Sequence, residues 1–131
     1  MNKHNVIVGS ENAVKKGHYE VGQYRLSIRE DSIRIDNLTL KKKIAEIPPY
    51  HEMEYLKGIT IDIYKDKLKA YYRKYNYSTD VIDFTVRLND NDINFIDNKI
   101  KKAIKENKEE YINDVVNLII SLIKKEAINY F

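Results

Sequence analysis

The densest run of recognition chemistry in this chain is cationic and aromatic: Tyr64, Lys65, Lys67, Lys69, Tyr71, Arg73, Lys74, Tyr75 and Tyr77. Cations neutralise phosphates while aromatic rings stack on bases, so a strand face that interleaves them can hold single-stranded nucleic acid. Regular alternation places Lys67, Lys69, Tyr71 and Arg73 on one solvent face, with Lys74 and Tyr75 following. Lysine also keeps edge strands from pairing and tyrosine favours strands, so the same residues serve folding without any ligand.

A second cationic set comprises Arg25, Arg29 and Arg34, followed by Lys41, Lys42 and Lys43. Arginines projecting from neighbouring strands can grip a phosphate or carboxylate bidentately. Glu30 and Asp36 lie close enough in sequence to neutralise part of that charge, which is the behaviour of a solvated face. Whether the two cationic sets merge depends on the fold that positions them.

Catalytic and metal patterns fail one by one. His4, His18 and His51 are the only histidines, and none stands in an H-E-x-x-H frame. His51 and Glu54 share a face only if they lie on a helix, and two ligands do not complete a zinc site. Asp90, Asp92 and Asn94 imitate the opening of a calcium loop, but Phe95 stands where glycine is required and Lys101 where the closing glutamate belongs. Val8-Gly9-Ser10 leads into no phosphate-binding glycine motif, and no G-x-S-x-G elbow surrounds a serine. The chain has no cysteine, which excludes disulfides, thiolate zinc sites and a cysteine nucleophile. The expectation is no catalytic residue, no metal and no cofactor; His18 or His51 meeting a carboxylate in space is the remaining enzymatic reading.

The elements that carry these residues follow from hydrophobic period, which changes once, from two to about 3.6, near Asn89. In a hairpin over residues 19–37, Tyr24, Leu26 and Ile28 alternate with Arg25, Ser27 and Arg29, while Ile33 and Ile35 alternate with Arg34 and Asp36. A two-residue loop at Glu30-Asp31 pairs Ile28 with Ile33 and Leu26 with Ile35, and sets Arg25 opposite Asp36 on the other face. A second hairpin over residues 59–75, closed at Lys65-Asp66, pairs Ile63 with Leu68 and Ile61 with Ala70, and sets Asp62 opposite Lys69. Between them, proline at 49 and glycine at 58 bracket a short helix near 49–57. A further strand over 81–88 points Ile82, Phe84, Val86 and Leu88 one way. Asn89, Asp90, Asn91 and Asp92 then offer N-caps for a helix on which Ile93, Ile96, Ile100, Ala103 and Ile104 recur. Asn107-Lys108 marks a kink or a turn before a last helix from Glu109 to Tyr130.

That last helix carries a wide apolar stripe. Ile112, Val116, Ile119, Ile120 and Ile123, with Phe131 beyond it, are expected to form part of a subunit interface, since surplus apolar area of this kind marks contact between copies. The same stripe also suits a core helix. The fold class expected is α+β: one domain over residues 1–131, with an antiparallel sheet of about four to six strands (residues 1–88, mainly β) packed by C-terminal helices (residues 91–131).

At 131 residues the chain has the length of one domain, and 43% hydrophobic with 33% charged residues is globular rather than disordered composition. No apolar run reaches the about 20 residues a spanning helix needs, and the opening residues lack the apolar stretch of a signal peptide. No membrane partner and a cytoplasmic location are therefore expected. The bias toward Ile, Lys, Asn and Tyr points to a low-GC bacterium or its phage. A net charge of +3 is too mild to argue for a polyanion by itself. The function expected is a non-enzymatic binding or accessory module, immunity- or inhibitor-like. It would act as a homo-oligomer, with a dimer favoured, and capture a protein partner or a small anionic ligand. The alternative is a binder of single-stranded nucleic acid that uses Lys67, Lys69, Tyr71, Arg73, Lys74 and Tyr75.

Overall fold

The computed structural model describes residues 14–44, 53–75 and 81–126. Six strands run β1 (Gly17–Val21), β2 (Tyr24–Ile28), β3 (Ser32–Ile44), β4 (Met53–Tyr64), β5 (Lys69–Tyr75) and β6 (Val81–Arg87), followed by helices α1 (Asp90–Glu106) and α2 (Glu109–Glu126). The strands form one antiparallel meander in sequence order. Two C-terminal helices complete the α+β arrangement expected from the change of period.

Alternation decides which face the helices cover. Leu26, Ile28, Ile33, Ile35, Ile61, Ile63, Ala70, Tyr72 and Val86 turn inward and meet Ile93, Ile96, Ile100 and Ala103 of α1 and Ile112, Val115, Ile119 and Ile123 of α2. All of these are buried. Fully burying an isoleucine-sized side chain contributes about 1.5–3 kcal/mol, so this layer is the main source of stability. The stripe of α2 is therefore absorbed within the chain: Ile112, Val116, Ile119 and Ile123, read from sequence as interface residues, are core. Ile120 is half-buried against the same core, and Phe131 lies outside the described residues.

The first hairpin has the expected register, with Arg25 opposite Asp36, Leu26 opposite Ile35 and Ile28 opposite Ile33. Arg29 N–H donates to the Ser32 carbonyl at 2.9 Å, which closes the loop at Glu30-Asp31. The sequence reading did not separate β1 from this hairpin. Gly22, at φ +59, makes the tight turn into β2, since positive φ suits glycine at the first central position of a type II′ turn. A side chain at Gly22 would also collide with Glu109 of α2, whose carboxylate accepts from Gln23 N–H at 2.9 Å.

The second hairpin keeps its faces but moves its register by two. Ile63 pairs with Ala70, Ile61 with Tyr72 and Asp62 with Tyr71, not with Leu68, Ala70 and Lys69. A shift of two preserves the inward set, so face patterning alone cannot distinguish the registers. The loop is four residues long, with Leu68 at φ 50 and its N–H donating to the Lys65 carbonyl at 3.3 Å. Lys65 enters the interior, where its Nζ lies 2.8 Å from Asp97 Oδ1 of α1, both side chains 3% exposed.

The short helix expected near 49–57 is corrected over its second half: from Met53 onward the chain is strand, paired residue by residue with β3. Residues 45–52 lie outside the described residues. Pairing along β3, which offers Leu40 to Ile44 as partners, outweighs the weak helix-end signals. Gly58 ends no helix; it sits opposite Leu38 beside the register shift between Leu38 and Leu40, where a Cβ would run into the Asn37 backbone carbonyl.

The N-cap region is as the sequence indicates. Asn89 Oδ1 accepts from Asp92 N–H at 2.8 Å, and Asp92 Oδ2 accepts from Asn89 N–H at 3.1 Å, a reciprocal capping box. Asn107, left-handed at φ 53 and ψ 49, ends α1. The junction between the helices is thus a turn.

Candidate functional site

The sheet face opposite the helices is built from the alternate residues of the same strands. One cross-strand row reads Glu20, Arg25, Asp36, Thr60, Arg73 and Asp83 from β1 to β6, and the next reads His18, Ser27, Arg34, Asp62, Tyr71 and Thr85. A third row holds Ser32, Tyr64, Lys69 and Arg87. Arg25 and Arg34 of one cationic set and Lys69, Tyr71 and Arg73 of the other therefore share one face. Register brings them together, because Arg34 and Tyr71 flank the same residue, Asp62.

They do not add up to a positive patch, since acids from intervening strands hold the arginines. Arg34 donates through Nε and Nη2 to Asp62 at 2.8 and 3.1 Å, and Arg73 donates likewise to Asp83 at 2.6 and 2.9 Å. Arg25 Nε stands 3.6 Å from Glu20, and Thr60 Oγ1 donates to Asp36 at 2.7 Å. Each bidentate pair matches the planar guanidinium to a carboxylate. The Asp62 bond raises the Arg34 pKa, and Asp83 does the same for Arg73. In return the Arg73 guanidinium holds the Asp83 carboxyl below the usual aspartate range.

Between β3 and β6 this face is concave. A groove of about 760 Å³ is lined by Arg34, Leu38, Asp62, Tyr71, Arg73 and Tyr75 among others. Leu38 and Tyr71 are 43% and 41% exposed, a high value for large apolar or aromatic side chains. The Tyr64 and Tyr71 rings meet edge to face, 5.5 Å apart, and Lys67 Nζ lies 5.0 Å over the Tyr64 ring. The arrangement is amphipathic: aromatic and aliphatic surface framed by fixed charges of both signs.

Of the residues nominated from sequence, Arg25, Arg34, Lys69, Tyr71, Arg73 and Tyr75 lie on this face, and Arg29 follows at the end of β2. Lys67 stands in the β4–β5 loop at its margin. Lys74 is exposed but lies on the other face by strand alternation, with Ile59 and Ile82 as its cross-strand neighbours. Lys65, grouped with the surface cations in sequence, is internal. Burial pushes its pKa down, although the Asp97 charge and hydrogen bond oppose that shift. Sequence reading set Asp62 opposite Lys69 on the polar face but did not pair it with Arg34, and it missed Asp83 and Leu38 as members of the face. Asp62 and Asp83 were legible as alternate strand positions, but their pairing with arginines on neighbouring strands depends on register.

His18 Nδ1 lies 2.9 Å from Ser27 Oγ, so among the described residues this imidazole meets a buried hydroxyl rather than a carboxylate. His51 and His4 lie outside the described residues. Among the described residues no three acidic or histidine side chains are gathered to hold a metal ion. No described helix is long and apolar enough to cross a membrane. No protein-family model, no curated protein and no solved structure matches this chain.

Proposed function

We propose that this protein is a non-enzymatic binding module, an accessory, immunity- or inhibitor-like domain that captures a protein partner on the open face of its sheet. The observation that carries this reading is the groove itself, where exposed Leu38 and Tyr71 stand beside two arginines already held by aspartates. Aromatic residues and arginine are the side chains most enriched at the centres of protein interfaces. A small anion is the poorer match. To grip it bidentately, Arg34 or Arg73 would have to give up a carboxylate partner of the same geometry. The partner expected is a protein surface with an apolar or aromatic anchor for the groove and polar groups for its charged rim.

The experiment compares capture from cell extract by three immobilised forms: wild type, the groove variant Tyr71→Ser with Tyr75→Ser, and the helix-face control Phe95→Ser. A partner retained by wild type and by Phe95→Ser, but lost from the groove variant, is the expected result. A partner retained equally by all three forms overturns the reading.

The Tyr64–Tyr71 ring pair beside Lys67 and Lys69 supports a second reading, single-stranded nucleic acid. Asp36, Asp62 and Asp83 on the same face oppose it, because they repel phosphates. Binding of this kind would fall steeply with salt as counterions are released. A titration with a labelled single-stranded oligonucleotide at low and high salt tests it. Absence of binding at low salt removes it.

A further inference from the structure

We infer that β6 is an interface strand, and that a second copy of this chain docks against it so that two sheets join edge to edge. Among the described residues β1 and β6 are the two edges of the sheet, and they are guarded differently. β1 is five residues long, begins with Gly17 and is preceded by Lys15 and Lys16. Short length and lysine are the usual devices that stop an edge from pairing. β6, Val-Ile-Asp-Phe-Thr-Val-Arg, has no proline, glycine or lysine, and all seven residues pair with β5 without a register break. Val81 and Ile82, on opposite faces of this strand, are 43% and 38% exposed.

The phase of the ladder shows which backbone groups face away from β5. Leu88 N–H donates to the Leu68 carbonyl at 2.8 Å, continuing the β5–β6 pairing by one residue pair. Antiparallel pairs alternate between hydrogen-bonded and non-hydrogen-bonded. Val86, Phe84 and Ile82 therefore direct their main-chain groups to β5, and Val81, Asp83, Thr85 and Arg87 direct theirs away from it.

The strand is complementary to itself when reversed. A two-fold axis at Thr85 sets Thr85 opposite its own copy and Asp83 opposite Arg87 of the second copy, twice by symmetry. On the helix side it sets Phe84 opposite Val86 and Ile82 opposite Leu88. Opposite charges, threonine pairs and aromatic–β-branched pairs are all favourable cross-strand neighbours. The outward groups of residues 83, 85 and 87 then exchange about six main-chain hydrogen bonds. A two-fold axis at Asp83 would instead oppose two aspartates. The Thr85 register thus commits the occupant to a second copy in an isologous contact, which closes on itself and leaves the lysine-guarded β1 edges outermost.

Sedimentation velocity of the full chain at high micromolar concentration is the test. Wild type is expected to sediment as a dimer. Thr85→Pro removes an N–H that points away from β5, a position where an edge strand tolerates proline; it is expected to sediment as a monomer with an unchanged circular dichroism spectrum. Asp83→Arg and Arg87→Asp each place like charges across the contact and are expected to be monomeric alone. Mixed together they restore opposite charges at both ends and are expected to form a heterodimer. A monomeric wild type, a dimer that survives Thr85→Pro, or failure of the two charge variants to associate on mixing overturns the inference. Asp83 and Thr85 border the groove as well as the β6 edge, so the two readings are told apart by the variants. Tyr71→Ser with Tyr75→Ser leaves β6 unchanged and tests partner capture, whereas Thr85→Pro tests the edge contact.

Discussion

The two faces of one sheet use the same kind of ion pair in opposite ways. On the helix side, Lys65 and Asp97 are 3% exposed each; on the open side, Arg73 and Asp83 are 50% and 57% exposed. Removing two charges from water is costly, and only good geometry and further hydrogen bonds offset it. Water remains available to the exposed pair, which contributes little to stability. The buried pair ties the β4–β5 loop to α1. The exposed Arg73–Asp83 pair contributes little to stability and, on the proposed reading, sets part of the charge pattern of the recognition face. A charge in this fold bears on stability chiefly from inside the helix-covered layer.

Separating the members of the buried pair has the largest expected effect. Asp97→Ala leaves the Lys65 ammonium buried without its partner and is expected to cost about 3–5 kcal/mol in chemical denaturation. Lys65→Met with Asp97→Leu removes both charges and is expected to recover most of that loss. The pair also has a pH signature. The folded-state pKa of Lys65 lies below 10.5, so the native state releases this proton before the unfolded chain does. Stability therefore rises with pH across the window between the folded value and 10.5. Burial raises the Tyr24 and Tyr72 phenols above 10.0, and they act in the opposite sense, losing stability as pH climbs through their folded values. Subtracting the Lys65→Met pH profile from that of wild type isolates the lysine contribution. A flat difference would show that Lys65 is not desolvated.

Truncating the inward face comes next. Ile61→Ala, at a fully buried position between β3 and β5, is expected to cost about 2–5 kcal/mol in the same assay. Gly22→Ala is smaller, about 1–2 kcal/mol, from left-handed backbone at φ +59. Its Cβ would also displace the Glu109 carboxylate and break the bond from Gln23 N–H, joining turn and helix in one defect.

The smallest effect belongs to the open face. Asp83→Asn is expected to leave the thermal midpoint at neutral pH almost unchanged. Arg73 lowers the folded pKa of Asp83 below 3.8, so the pair's contribution is complete above that value and disappears as pH falls through the folded one. Wild type and Asp83→Asn melts should converge in strong acid. A large loss for Asp83→Asn at neutral pH would break the contrast between the two faces.

Much of this was readable because alternation and helical period are local. The Arg25–Asp36 register, the inward set of β6 and the cap at Asn89 all follow from neighbours in sequence. The β4–β5 register did not, since a shift of two keeps the same inward set, and the Lys65–Asp97 contact across 32 positions is one that no period encodes. For the same reason the open face was half legible. Tyr71 and Arg73 stood out by type, while Asp62 and Asp83, which neutralise the arginines, became relevant only once strand order placed them alongside. The helix-like ends around 49–57 misled because Pro49 and Gly58 mark turns and bulges as readily as helix ends. The α2 stripe exceeded one sheet face in width, but α1 supplies the second wall that covers it.

The division of labour between the two faces is tested most directly on Tyr71→Ser with Tyr75→Ser, by measuring thermal midpoint and partner capture on the same preparation. The expected result is a midpoint close to that of wild type together with loss of the captured partner. A variant that unfolds early, or one that keeps its stability and its partner alike, would contradict the assignment of the open face to recognition.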